Sequence, residues 1–259
     1  MLAAVLAALT VFPLLWLLSS AFKGSDETYS LALIPHHPTL ANFTYVFTQV
    51  PFLRYMWNSF FIAGSITVLA LWFHSMAAYA LARLRFPGRE VIFLAIFATF
   101  LVSLPVILVP LFILVKRLGM LNSYAGLIIP GIFNAFGIFL LRQFYVGIPR
   151  ELEEAAILDG AGYWRIYWNL IIPLSRPILA ALAVFFFLYN WNAFLWPLTI
   201  TTDQHLWVVQ VAISSFQQQY AASQGYIMAA STVVALPTLL LFVFFQRQLV
   251  ESIKTSGFK

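Results

Sequence analysis

The sequence predicts an all-α, polytopic integral membrane protein with six transmembrane helices, and three observations carry that prediction. Of its 259 residues, 62% are hydrophobic and only 9% are charged, whereas soluble domains run near half apolar and about a quarter charged. The apolar residues come in runs of about 20, the length that crosses a bilayer. Positive charge collects in alternate connecting segments, the signature of a chain oriented in a membrane. The formal net charge of +5 therefore reads as orientation rather than as nucleic-acid binding, and the 26 Phe and eight Trp suit lipid-facing helices and headgroup belts.

Lipid cannot hydrogen-bond a bare backbone, so each long apolar run must be helical. The first is expected over residues 2–22. Its stretch Leu2–Leu18 has no basic leading segment and continues apolar too far for a signal peptide, so it reads as a spanning helix. The others are expected over 57–82, 91–116, 124–145, 176–200 and 226–248, giving one transmembrane domain over residues 1–259. Pro13, Pro105, Pro110, Pro130 and Pro237 fall inside these runs and read as kinks. Residues 23–56, with Pro35-His36-His37-Pro38, are expected to form an extracytoplasmic cap, and residues 201–225 a polar loop.

Ten of the 14 Lys and Arg lie in 83–90, 142–176 and the C-terminal tail; Lys23, Arg54, Lys116 and Arg117 lie on the other side. The positive-inside rule puts both termini in the cytoplasm, as an even helix count requires. No Asp or Glu falls inside a predicted span, where an ion-driven carrier often places one, and no internal repeat is evident.

The most charged stretch, 147–175, is on the predicted cytoplasmic side. Pro149 suits the first position of a short helix, and Glu151, Glu153 and Glu154 then sit where the exposed N–H groups favour carboxylates. Leu152, Ala155 and Ala156 share one face at i, i+3, i+4 spacing, and Gly160 is a natural stop. The result is a small helix with a low-relief alanine face and an acidic rim, suited to close contact with a basic partner; an ordinary solvated loop is the alternative on physics alone.

Glu154-Ala155-Ala156, Asp159-Gly160-Ala161 and Ile172-Pro173-Leu174 followed by Pro177 resemble the EAA motif of binding-protein-dependent ABC importer permeases, in residue type and spacing over about thirty positions. Asn58-Ser59, Ala77 to Arg83, Phe86-Pro87-Gly88 and Trp191-Asn192 ahead of Pro197-Leu198 are similar to the carbohydrate-uptake permeases of the maltose-transporter type, closest to the shorter, six-helix partner. The C-terminal Glu251 to Lys259 departs from that pattern. The resemblance implies that the loop is a coupling helix, with Glu154, Ala155, Ala156, Asp159, Gly160, Ala161 and Pro173 serving ATPase coupling, so that Gly160→Asp should abolish uptake. It further implies a bacterial or archaeal inner membrane, a second homologous permease, two copies of an ATP-binding subunit and an extracytoplasmic solute-binding protein.

No G-x-x-x-x-G-K-[ST] phosphate loop is present, so ATP and Mg²⁺ are expected on the partner subunits, with no cofactor and no catalytic residue in this chain. No metal site is expected: there is no Cys, His36 and His37 are loop neighbours, and His74 reads as a packing residue. Gln217 to Gln219 read as solvated. Asn190, Trp191, Asn192 and Trp196 could line a sugar path, by amide hydrogen bonds and stacking on C–H faces, or could be a packing pair and an interfacial Trp belt. Against an importer subunit stand a stand-alone secondary carrier or channel for a small polar solute, and a structural assembly subunit.

Overall fold

Among the described residues the regular structure is helical throughout, as the apolar runs require. The computed structural model describes every residue except 25, 26, 28, 29, 31, 221, 222 and 257–259, with 2–4, 7 and 246–256 described by backbone alone. Gly257, Phe258 and Lys259 of the divergent tail lie outside the described residues. In order, the helices are α1 (Leu2–Ala21), α2 (Ala41–Thr48), α3 (Phe52–Arg83), α4 (Arg89–Thr99), α5 (Leu104–Arg117), α6 (Tyr124–Ile132), α7 (Ala135–Val146) and α8 (Arg150–Leu158). They continue with α9 (Tyr163–Leu174), α10 (Arg176–Trp191), α11 (Leu195–Ile200), α12 (Val209–Gln219) and α13 (Gln224–Ser256).

Among the described residues three helices are long and apolar enough to cross a membrane: Phe52–Arg83, Tyr124–Val146 (α6 and α7 together) and Gln224–Phe245. Counting each of two bent pairs as one span brings the number to five, and α1 adds the shorter apolar stretch Ala8–Ala21. The expected span 91–116 is not one straight helix: α4 and α5 meet at 101°. Pro105 stands in the first turn of α5 behind the extended residue Ser103, a position its fixed φ and missing N–H suit, while Phe100 to Val102 turn the chain after α4. The expected span 176–200 is likewise divided. A break after Trp191 leaves α11 as a separate short helix, and just before the expected span, at Ser175, α10 bends by 75° from α9. Pro13 and Pro237, by contrast, sit inside continuous helices.

The chain divides into two compact units. The first comprises Met1–Phe60 and Trp191–Val243. Here the start of α3 is stitched to residues 205–209. Asn58 Nδ2 donates to the carbonyls of His205 (2.9 Å) and Trp207 (3.0 Å), and Ser59 Oγ accepts the Val209 N–H (2.7 Å) that opens α12. Buried Asn42, on α2, gives Nδ2 to the carbonyls of Ala21 (2.9 Å) and Lys23 (2.8 Å), capping the end of α1. Neither α2 nor α12 is expected from the cap-and-loop reading. α12 buries Val209, Val211, Ala212 and Phe216 while its Gln residues stay polar.

The second unit comprises Phe61–Asn190 and Phe244–Lys259. Its core gathers Ala70, Ala78, Tyr79 and Ala82 of α3, Leu141 and Tyr145 of α7, Ile166, Tyr167 and Ile171 of α9, and Leu182 and Phe186 of α10. Small alanines let the helices approach closely. His74, 1% exposed, accepts the Asn134 N–H on Nε2 at 3.2 Å, and Asn134 Oδ1 accepts the Phe136 N–H at 2.8 Å. These two bonds satisfy the break between α6 and α7.

A Cβ on Gly137 would stand 2.4 Å from His74 Nδ1 and 2.6 Å from Phe186 Cζ, whereas one on Gly64 would meet nothing within 4 Å. Gly137→Ala is therefore expected to lower the midpoint of thermal unfolding in detergent, at a cost of about 1–3 kcal/mol. Gly64→Ala should leave the midpoint unchanged or raise it.

Candidate functional site

The α8 loop is built from its ends inward. Pro149 is the residue before the helix (φ −56°, ψ 133°), so Arg150 and not Pro149 takes the first helical position. Glu151 and Glu153 occupy the first turn, where the free N–H groups favour negative charge. At the other end Gly160 has φ +81°. Its N–H bonds to the Ile157 carbonyl and the Ala161 N–H to the Ala156 carbonyl, both at 2.9 Å. This is a Schellman closure, and it demands the left-handed backbone that glycine adopts without strain.

One side chain holds the helix down. Arg83, the last residue of α3, donates Nη2 to the carbonyls of Tyr145 and Ile148. Its Nε lies 3.1 Å from Glu153 Oε1, a charge contact not aligned as a hydrogen bond. The Arg83 side chain is 3% exposed and that of Glu153 15%. Burial pushes the Glu153 carboxyl above its ordinary value, and the Arg83 and Arg150 charges pull it partly back. Glu90 behaves oppositely. The hydrogen bond from Arg89 holds it below its ordinary value, with Arg142 adding to the effect through contacts at 3.0 and 2.9 Å.

The helix presents two contrasting faces. Glu153 points inward, and Ala156 and Ala161 pack against the core. Leu152, Glu154, Ala155, Ile157, Leu158, Asp159 and Gly160 are exposed, Leu158 at 90%. The expected Leu152/Ala155/Ala156 face is thus split: Ala156 lies between Leu152 and Glu153 around the helix and is half-buried with Glu153, whereas Leu152 and Ala155 are exposed. Tyr163 and Trp164 extend the exposed apolar surface. A water-facing loop gains nothing from so many bare apolar side chains, and such a patch marks a contact surface. Beside it an open cleft of about 1280 Å³ is lined by Arg83, Arg85, Arg89 and Arg150 together with Glu90, Glu153 and Glu154. The cleft brings together the two basic segments, 83–90 and 142–175, that the charge pattern assigns to one membrane side. Pro173, half-buried, lies in α9, just after the π-helical turn Tyr167–Ile171. Its ring crowds the Asn169 carbonyl, and the turn containing Asn169 is the one that widens.

The other predicted site residues are placed separately. Asn190 Nδ2 donates to the Phe186 carbonyl of its own helix at 2.8 Å. Trp191 is buried, with Nε1 on the Val234 carbonyl at 3.3 Å, and Trp196 is also buried. Asn192 is exposed and its Oδ1 accepts from Gln210 Nε2 at 3.2 Å. Among the described residues no three His, Cys, Asp or Glu side chains gather as metal ligands would. The sequence places Arg83 among the basic charges and in the stretch Ala77 to Arg83, and Glu153 in an acidic rim, without pairing the two; an Arg closing a long apolar helix is the local signal of the clamp.

Residues 75–255 match the family model described as binding-protein-dependent transport system inner membrane component. The chain is 34% identical to the diacetylchitobiose uptake system permease protein of Streptomyces coelicolor, covering 98% of this chain and 85% of that one. It is also 34% identical to the arabinooligosaccharides transport system permease protein of Halalkalibacterium halodurans (99% and 94% covered), and 33% identical to the sn-glycerol-3-phosphate transport system permease protein of Yersinia enterocolitica (96% and 92%). A chain in the crystal structure of a bacterial ABC transporter involved in the import of the acidic polysaccharide alginate shares the fold. The TM-score is 0.86 at 24% identity, over 95% of this chain and 93% of that one.

The clamp predicts non-additivity. Removing one partner of a buried ion pair costs about 3–5 kcal/mol, because the other charge is left unpaired. Thermal unfolding in detergent should show Arg83→Met and Glu153→Leu each strongly destabilised. The double variant should be less destabilised than their sum, with the two orphaned carbonyls keeping it below the parent.

Proposed function

This chain belongs to the family of binding-protein-dependent transport system inner membrane components and is a permease subunit of an ATP-binding-cassette importer, and we propose that it forms half of the path for a sugar or sugar-related solute. It is a multi-pass membrane subunit, and ATP hydrolysis belongs to partner subunits. The finer reading is that it spans the membrane six times, counting α1 and each bent pair as spans, with both termini cytoplasmic. It pairs with a second, homologous permease over two ATP-binding subunits, which hold ATP and Mg²⁺, and it receives solute from an extracytoplasmic binding protein. The uptake of sugars or a sugar-alcohol phosphate named for the relatives supports the solute class.

The observation that carries the coupling role is α8: a short helix held rigidly at its base by Arg83 while Leu152, Ile157 and Leu158 stand bare outside it. On this reading α8 is the coupling helix. Ala155 and Gly160 let the ATPase surface approach closely, and Glu154 and Asp159 offer charge to basic groups there. Ala156, Ala161 and Pro173 carry the displacement inward through the core and α9. Closure of the ATPase pair pushes α8, and because its ends are fixed the push reaches the spans as rigid-body motion. Asn190, Trp191, Asn192 and Trp196 are proposed to border the solute path, Asn192 and Asn190 by amide contacts and the two Trp by shaping the wall.

Two measurements test this. In proteoliposomes containing the chain and its co-purifying partners, uptake should require both ATP and the binding protein; uptake by this chain alone without nucleotide would overturn the reading. Gly160→Asp should abolish uptake at normal assembly. Aspartate tolerates left-handed backbone better than most residues, and a Cβ at 160 meets nothing within 4 Å, so the loss would report on docking. Gly160→Asn, of the same size and equally tolerant of that backbone, should lose uptake as well, because the partner's close approach is blocked by bulk whatever the charge.

A further inference from the structure

On α3, Ser75, Tyr79 and Arg83 are spaced by four and so share one face. The Arg83 end of that face is the clamp on α8. At the Ser75 end, two turns deeper, three hydroxyls form an unbroken chain. Tyr167 OH of α9 donates to Ser75 Oγ at 2.8 Å, and Ser75 Oγ lies 2.7 Å from Tyr145 OH of α7. Ser75 is 2% exposed, Tyr145 0% and Tyr167 3%. Tyr167 opens the π turn, and only Asp159 to Gly162 separate α9 from the end of α8.

Buried polar groups in an apolar core are retained only at a cost, and phenylalanine would pack both tyrosine positions without it. Tyr79 makes the contrast: its buried OH has no hydrogen-bond partner. It fills space with its ring, 5.3 Å from that of Tyr167, while the hydroxyls of Ser75, Tyr145 and Tyr167 are tied to one another. These two bonds join the helix that follows α8 to α3, which Arg83 ends, and to α7, whose end Arg83 binds. α8 is therefore connected to α3 and α7 at two levels, through Arg83 at its start and through the hydroxyl chain beyond its end.

We propose that Ser75, Tyr145 and Tyr167 are positioning residues for coupling, a buried hydroxyl chain that obliges α3 and α7 to follow α9 when α8 is displaced. The proposal rests on the coupling reading of α8. Losing the chain would leave α9 free to yield at its π turn, so the ATPase cycle would continue while less solute moves per ATP. These residues act through the helices and touch neither solute nor nucleotide.

The test is the ratio of solute taken up to ATP hydrolysed in proteoliposomes of the whole complex, with Tyr167→Phe, Ser75→Ala and, as the control with no bond to lose, Tyr79→Phe. The expected result is a three-fold or larger fall in that ratio for Tyr167→Phe and Ser75→Ala at normal assembly. Binding-protein-stimulated hydrolysis should be kept, Ser75→Thr should restore the ratio and Tyr79→Phe should match the parent. An unchanged ratio in either Tyr167→Phe or Ser75→Ala overturns the proposal. So does a fall in uptake and hydrolysis strictly in step with lost assembly, which would make the chain merely structural. If one variant fails to assemble, the other decides. A parent complex that transports without ATP would instead sink the coupling reading itself.

Discussion

A helix that stops inside or against a bilayer strands carbonyls and amides where no water reaches them, and hydrocarbon makes each one expensive. The polar residues of this otherwise apolar chain stand where that problem arises. Asn42 closes the end of α1; Asn58 and Ser59 meet the carbonyls and the amide of 205–209. His74 and Asn134 bridge the break between α6 and α7. Arg83 takes the carbonyls of Tyr145 and Ile148 where α7 gives way to α8, and Arg142 takes that of Leu81 at 3.3 Å. A broken, bent helical scaffold is possible here because these breaks carry their own side-chain donors or acceptors.

The same constraint explains what composition reveals and what it hides. Runs of about 20 apolar residues must be helices, so the positions of the spans follow from the sequence almost directly. Whether a run is one helix or two does not, because proline is ambiguous: Pro13 and Pro237 leave their helices continuous, whereas Pro105 begins a new one. The difference lies upstream of Pro105, where Ser103 is extended and Phe100 to Val102 fold as a turn. α12 was legible in principle, since Val209, Ala212 and Phe216 recur at helical spacing within a stretch that its Gln and Ser residues disguise as loop. α2 offered less, being eight residues long with two buried positions, Asn42 and Val46.

In the α8 loop the residues that make the motif were legible, and the reason each is there was only partly so. Gly160 is required by its left-handed backbone, since a side chain there would meet open space. Glu153 and Glu154 are adjacent and chemically alike, yet about 100° of helical rotation sends one into the Arg83 clamp and leaves the other exposed. No local pattern separates them, because the group that does so is 70 positions earlier in the chain. The hydroxyl chain is hidden for the same reason: Ser75 meets Tyr145 and Tyr167 across separations of 70 and 92 residues.

Stiffness is unevenly distributed around α8, and that distribution bears on how a push would travel. The start of the helix is fixed by a guanidinium on two carbonyls and a carboxylate, and its end by two backbone bonds, so the helix itself has little freedom to deform. The compliant places come next: the π turn at Tyr167–Ile171, and the 75° joint at Ser175 between α9 and α10. A displacement entering a rigid element dissipates at the first soft one unless something spans it. Tyr167 stands at the start of that soft turn and is bonded through Ser75 to α3, and Ser75 in turn to α7. Motion of α9 thus cannot proceed without either breaking the buried Tyr167–Ser75 bond or carrying α3 along, with α7 tied to it through Ser75. With few alternative partners in an apolar core, carrying them along is the cheaper outcome.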